Sequence, residues 1–187
     1  MAPARRDCRN FVLTEYGPSP DGYPNAHSGR KQHVGTDQLA RVHPKSLSES
    51  MLALHMATRR SSLPVELLDL IDYRVSLIIG CAFCIDIHST DLRARDETEP
   101  RLYLISAWRD VCGLYSPRER AALAWAEAVN RLVEHQVPVE VYEQARAEFS
   151  ETELAELTLA VISINGPNRL NIAFCAPAGD YKPNMSR

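Results

Sequence analysis

The stretch Leu67-Leu68-Asp69-Leu70-Ile71-Asp72-Tyr73-Arg74-Val75-Ser76-Leu77-Ile78-Ile79-Gly80, followed by Cys81-Ala82-Phe83-Cys84-Ile85-Asp86-Ile87-His88, decides the reading of this chain. Leu67, Leu68, Ile71, Val75 and Ile78 recur at helical spacing. Gly80 predicts a stop or a bend, because glycine tolerates the left-handed conformation that closes many helices. A second helix is predicted from near Cys81 to about Arg95. A helix turns about 100° per residue, so positions i, i+3 and i+7 fall within roughly 60° of one another. Cys81, Cys84 and His88 then share one face, and two thiols meet an imidazole.

Working outward, the helical pattern continues on both sides. Leu47, Met51, Leu52, Leu54 and Met56 predict a first helix around 45–59, and Pro64 suits the opening turn of the next. Thr98 is placed to cap a helix over Glu99–Asp110, with Pro100 near its start. Ser116-Pro117-Arg118-Glu119 reads as a capping box, and Ser150-Glu151-Thr152-Glu153 as a second. Pro138 opens a short helix through Val141, Tyr142, Ala145 and Phe149. The helix after Ser150 is apolar on more than one face, and Gly166-Pro167 predicts a kink or break in it. No run alternates with period two, so the predicted class is all-α. Residues 1–36 are rich in Gly and Pro and read as an extended or disordered arm. Residues 37–176 form the helical domain, and 177–187 a C-terminal tail.

Composition limits the function classes. A hydrophobic share of 45% with 24% charged residues is that of an ordinary globular domain. A net charge of −3 gives no electrostatic reason to expect nucleic acid or a membrane surface as partner. No apolar run reaches membrane-span length and no secretory h-region is visible, so a cytoplasmic location is expected. The five cysteines, at 8, 81, 84, 112 and 175, are odd in number and scattered, a poor disulfide framework. In a reducing compartment a Cys-x-x-Cys reads as catalytic or metal-binding.

The thiolate is the nucleophile, and a free thiol ionises only near ~8.5. The unpaired N–H groups of a helix start, the neighbouring cysteine and His88 could each assist ionisation. Asp69 and Asp86 are candidates for orienting His88. Such a site can attack a peroxide O–O bond, form a sulfenic acid and resolve it as a disulfide. A zinc site on Cys81, Cys84 and His88 stays open as an alternative, although no second Cys/His pair follows. Ile85 after Cys84 rules out a haem-attachment motif, and the lack of a βαβ pattern disfavours a thioredoxin-type domain. Trp108 and Trp125 read as core or interface, Cys112 and Cys175 as ordinary small residues, and Glu119, Glu127 and Arg131 as a solvated helix face. His33, His43, His55 and His135 show no partner pattern.

The segment from Leu67 to Ser89 closely resembles the carboxymuconolactone decarboxylase / AhpD-like alkylhydroperoxidase family, whose core is an acidic residue, eleven residues, then Cys-x-x-Cys-x-x-x-His. The resemblance extends through Glu97-Thr98-Glu99, Arg101-Leu102-Tyr103, Trp108, Ser116–Leu123 and Asn168–Ala173. It implies an all-helical AhpD-like bundle and a homo-oligomer, often a trimer or hexamer. It also implies a thiol-dependent peroxidase acting on small hydroperoxides without flavin, haem or metal, recharged by a dithiol or protein thiol. On the matching positions, Cys84 attacks the peroxide, Cys81 resolves, His88 relays protons and Asp69 is the acidic member. The alternatives are a decarboxylase-like enzyme on a small lactone and a non-catalytic redox-sensing oligomer. Two positions depart from the family pattern. Asp69 stands where Glu is usual, with Glu66 one turn away, and Gly166-Pro167 interrupts the last helix.

Overall fold

A computed structural model describes residues 45–183, of which 46–48 are described in backbone only. The predicted arm at 1–36 lies outside the described residues. Helix α1 runs Lys45–Thr58, α2 Val65–Ile79, α3 Ala82–Ala94 and α4 Glu99–Leu104. The 3-10 segment Ile105–Asp110 continues α4 with a kink at Ala107. Then follow α5 Pro117–Arg131, the 3-10 turn Val133–His135, α6 Val139–Glu148 and α7 Glu151–Ala173. The described residues contain no strand.

Helix α2 is the centre of the bundle. Every residue from Leu67 to Ser76 is buried, because α3, α5 and α7 pack around it. Leu68, Leu70, Ile71 and Val75 meet Leu123 of α5 and Leu157 and Val161 of α7 in one core. The helix ends where its sequence predicts. Gly80 adopts φ 79°, ψ 30°, and its N–H donates to the Ser76 carbonyl. That left-handed residue turns the chain so that Cys81 becomes the N-cap of α3. Both capping boxes also form: Ser116 with Glu119, and Ser150 with Glu153.

Two expectations are corrected. Glu127 is not on a solvated face but buried between α2, α5 and the 3-10 segment. Its Oε1 accepts from Arg74 Nε at 2.9 Å, Arg74 Nη2 at 2.6 Å and Trp108 Nε1 at 2.8 Å. Its Oε2 accepts from Arg109 at 2.5 Å. A buried carboxylate survives when its lone pairs are all bonded, and these partners supply that condition. Burial works to raise the Glu127 pKa, but the bonds from Trp108, Arg109 and Arg74 together hold it below the ordinary value.

The second correction concerns Gly166-Pro167. Helix α7 runs through both residues without a break. Proline removes one backbone bond, yet Leu154, Leu157, Val161 and Ile164 on one side of it hold α7 in the core. Packing of that kind overrides local propensity. Gly166 has a packing reason of its own, since a Cβ there would stand 2.8 Å from Met51 Cε of α1. The far side of α7 leaves Leu159, Ile162 and Ile172 exposed. No helix among the described residues is long and apolar enough to cross a membrane.

Two residues beyond Gly166, Asn168 is wholly buried and neither its Oδ1 nor its Nδ2 has a hydrogen-bond partner. A buried amide left unbonded costs roughly 1–3 kcal/mol. Asn168→Leu, similar in size and without polar atoms, is therefore expected to raise stability by about 1 kcal/mol or more, read from urea midpoints at unchanged m-value.

Candidate active site

The dithiol lies at the junction of α2 and α3. Cys81, the N-cap, has φ −80° and ψ 99°, and its sulfur accepts the N–H of Cys84 at 3.3 Å. The orphan amide of the first turn is thus spent on the Cys81 sulfur. The sequence reading offered that assistance to the motif without saying which thiol would receive it. Cys84 sits in the first turn of α3, and its sulfur is 2.9 Å from that of Cys81. Both are free thiols, 1% and 3% exposed. A disulfide at about 2.05 Å needs little movement of either side chain from there.

His88 follows one turn later and is buried. Burial first, then the charge of Arg59 and the neighbouring His55, push its pKa down to about 3. His88 is therefore neutral at physiological pH and keeps one ring nitrogen as an acceptor. Among the described residues no hydrogen bond joins His88 directly to either sulfur.

The candidate acids separate. Asp86 lies two residues past Cys84, about 200° round the helix. Its Oδ2 accepts Gly179 N–H at 2.7 Å, so it faces the C-terminal segment and not His88. Tyr181 of the same segment donates to Asp91 Oδ1 at 2.9 Å, a second tie between that segment and α3. Asp69 is buried and ion-paired to Arg59 in the turn after α1, and its Oδ2 lies 3.3 Å from Arg95 Nη1 without receiving a hydrogen bond. Glu66 is exposed in the first turn of α2.

Three groups that the sequence reading passed over complete the site. Arg59 spans both acids of α2, donating to Asp69 and, at 2.5 Å, to Asp72 Oδ2. Its Nε also reaches His55 Nε2 at 3.5 Å. Asp72 is buried; burial pushes its carboxyl up to about 7 against the pull of Arg59, with Asp69 adding to the rise. Burial raises Asp69 as well, opposed by Arg59 and Arg95. Asn171 of α7 donates from Nδ2 to the Cys84 sulfur at 3.4 Å. Burial, the bond shared with Cys81 and the charge of Asp72 push the Cys84 thiol up to about 12, while Asn171 acts the other way. Helical spacing gave no signal for Arg59 or Asn171, because neither shares a helix with the group it bonds: Arg59 lies 10 residues before Asp69, in a turn, and Asn171 87 residues after Cys84. The i, i+3 spacing of Asp69 and Asp72 was a signal that one cation could bridge them. No group of three or more His, Cys, Asp or Glu side chains among the described residues is arranged to hold a metal ion.

An all-helical bundle with a buried dithiol at a helix start is the AhpD-like fold. A protein of unknown function from Agrobacterium tumefaciens, ATU0492, described as a candidate antioxidant defence protein AhpD, superposes with a TM-score of 0.70 at 33% identity, covering 74% of this chain and 94% of that one. The AhpD core of an uncharacterized peroxidase-related protein from Ralstonia eutropha JMP134 gives a TM-score of 0.66 at 19% identity, covering 77% of this chain and 76% of that one, a likeness of fold. The model of the carboxymuconolactone decarboxylase family matches residues 46–128. The uncharacterized protein YdfG of Bacillus subtilis is 40% identical over 123 residues, 66% of this chain and 83% of its own length. YnjA of Escherichia coli, also uncharacterized, is 30% identical over 129 residues, 69% of this chain and 70% of its own length. The chain belongs to the carboxymuconolactone decarboxylase family.

Arg59→Met leaves two buried carboxyls without their shared cation. A loss of about 3 kcal/mol or more is expected at neutral pH. The sign of its pH dependence follows from Asp72, whose folded pKa of about 7 exceeds the ordinary carboxyl value of 3.8. The folded state prefers the protonated acid, so Asp72 costs stability progressively as pH rises from 3.8 to about 7 and no further above that. Without Arg59 the Asp72 carboxyl is pushed higher still, so the variant should recover stability relative to wild type as pH falls from alkaline values to about 7, and the difference should level off below that. Denaturant titrations at several pH values measure this directly.

Proposed function

We propose that this protein is a thiol-dependent peroxidase that reduces small hydroperoxides through a Cys81–Cys84 disulfide cycle. The observation that carries the reading is the sulfur pair, 2.9 Å apart at the start of α3 with a neutral His88 one turn on. The named likeness of ATU0492 to antioxidant defence proteins supports it.

The first step is attack of the Cys84 thiolate on the terminal oxygen of the peroxide. The S–O bond forms, the O–O bond breaks, and the alkoxide leaves with a proton to become an alcohol. Both sulfurs are buried, so a peroxide reaches Cys84 only when neighbouring side chains move aside. Burial also makes the resting thiolate costly, and a base is needed to take the Cys84 proton. Neutral His88, acting through the substrate or a water, fills that role and returns the proton to the alkoxide.

Resolution follows locally. Cys81 attacks the Cys84 sulfenic acid, the S–S bond forms, and water leaves with the Cys81 proton. An external dithiol then reduces the disulfide. The better leaving thiolate departs faster, and the Cys84 N–H on the Cys81 sulfur marks Cys81 as that leaving group. The incoming thiol thus attacks Cys84. Over one cycle a hydroperoxide and a dithiol become an alcohol, water and a disulfide.

Hydroperoxide consumption with a dithiol reductant tests this. Cys84→Ser should abolish turnover. Cys81→Ser should consume one equivalent and leave a sulfenic acid that dimedone traps on Cys84. His88→Gln should slow turnover by about 10²-fold, the lower end for loss of a general base. A Cys84→Ser protein as active as wild type ends the proposal. Reversible Cys81–Cys84 oxidation without turnover reassigns the site as a redox switch.

A further inference from the structure

The electrostatics around Cys84 pose a problem that the dithiol motif does not solve. From α1 comes His55, from the turn after it Arg59, and from α2 Asp69 and Asp72; the N-cap of α3 brings Cys81, and α3 itself His88. The one guanidinium among them is committed to two carboxylates. Asp72 opposes a negative charge on Cys84. His88 is neutral. One N–H group at the start of α3, that of Cys84 itself, is bonded to the Cys81 sulfur.

Beyond the Cys81 thiol, one further donor reaches the Cys84 sulfur, and it comes from α7. Helix α7 persists through Pro167 and brings Asn171 to the dithiol, where Nδ2 lies 3.4 Å from the Cys84 sulfur. An amide N–H directed at sulfur gains strength when the sulfur becomes an anion, because charge-assisted bonds are roughly twice as strong as neutral ones. It therefore favours thiolate over thiol and acts on the reacting atom itself.

We propose that Asn171 is a further catalytic residue, whose side-chain amide holds the Cys84 sulfur as its thiolate from across the α3–α7 contact. This deepens the peroxidase reading and rests on it for the word catalytic. The two thiols are then served separately, Cys81 by a backbone amide of its own helix and Cys84 by a side-chain amide from another.

Iodoacetamide alkylation of Cys84, followed by mass spectrometry on the reduced full chain, tests the point without any peroxide. Asn171→Leu should slow alkylation about tenfold, the size expected for losing one hydrogen bond to a charged group. Asn171→Asp keeps the shape and makes the donor titratable. Protonated, its carboxyl can still donate; ionised, it repels the thiolate. The ratio of wild-type to Asn171→Asp rates should therefore climb with pH, while the ratio for Asn171→Leu stays level below the thiol's own titration. Asn171→Gln should restore part of the rate lost in Asn171→Leu. An unchanged alkylation rate in Asn171→Leu would overturn the proposal. So would parallel losses for the leucine and aspartate variants at every pH, which is what a packing role alone produces. Failure of the peroxidase reading shows separately, as a wild-type protein that alkylates with this pattern and does not turn over hydroperoxide.

Discussion

The turn at Gly80-Cys81 is the constraint on which the rest of the site depends. A left-handed glycine closes α2, and the next residue caps α3 with its own sulfur. A residue with a Cβ would be strained at φ 79°. Move that turn by one position and Cys81 no longer meets Cys84, because a helical register shifts by about 100° per residue. The site is therefore a property of a helix boundary, the place where backbone donors are unpaired and a side chain can accept them. Folding and chemistry share the same atoms here. The bond from Cys84 N–H to Cys81 is both a cap that starts a helix and a bias on how readily one thiol ionises.

Around that turn the bundle buries charge in two places and treats them differently. On one side of α2, Arg74 meets Glu127, which collects donors on both carboxylate oxygens. That cluster is saturated, and Glu127 stays ionised. On the other side Arg59 bridges Asp69 and Asp72, Arg95 adds a second ion pair to Asp69, and an oxygen of Asp69 still receives no hydrogen bond. The first arrangement suits a structural tie between α2, α5 and the 3-10 segment. The second leaves acids whose protonation is poised by burial, beside the dithiol. Strongly perturbed carboxyls next to nucleophiles are a pattern of functional sites.

Much of the architecture was legible in the chain. Gly80, the two capping boxes and the helical spacing from Leu67 to Ile78 located the ends of α2, α5 and α7 through local rules, and local rules act within a few residues. The pairing of Cys81 with Cys84 was legible for the same reason. What stayed hidden involves partners distant in sequence. Glu127 looked solvated because its neighbours Arg74 and Trp108 are 53 and 19 residues away. Asn171 is 87 residues from the sulfur it touches, and a proline inside its helix argued against its reaching that place. Arg59 sits just past the end of α1, in a turn that the apolar pattern of that helix does not mark. Pro167 is the instructive case: a local penalty of about 3 kcal/mol was outweighed by the apolar area that α7 buries along the bundle.

The family match ends at residue 128, whereas α7, with Asn171, begins at residue 151. The matched region thus holds Arg59, the two acids, the dithiol and His88, and leaves out the helix that carries Asn171. Two homologues can carry the same Cys-x-x-Cys-x-x-x-His string and still differ in how acidic the attacking sulfur is, if their final helices present different side chains to it. Divergence in the last helix is then a means of retuning sulfur reactivity while the signature itself stays untouched.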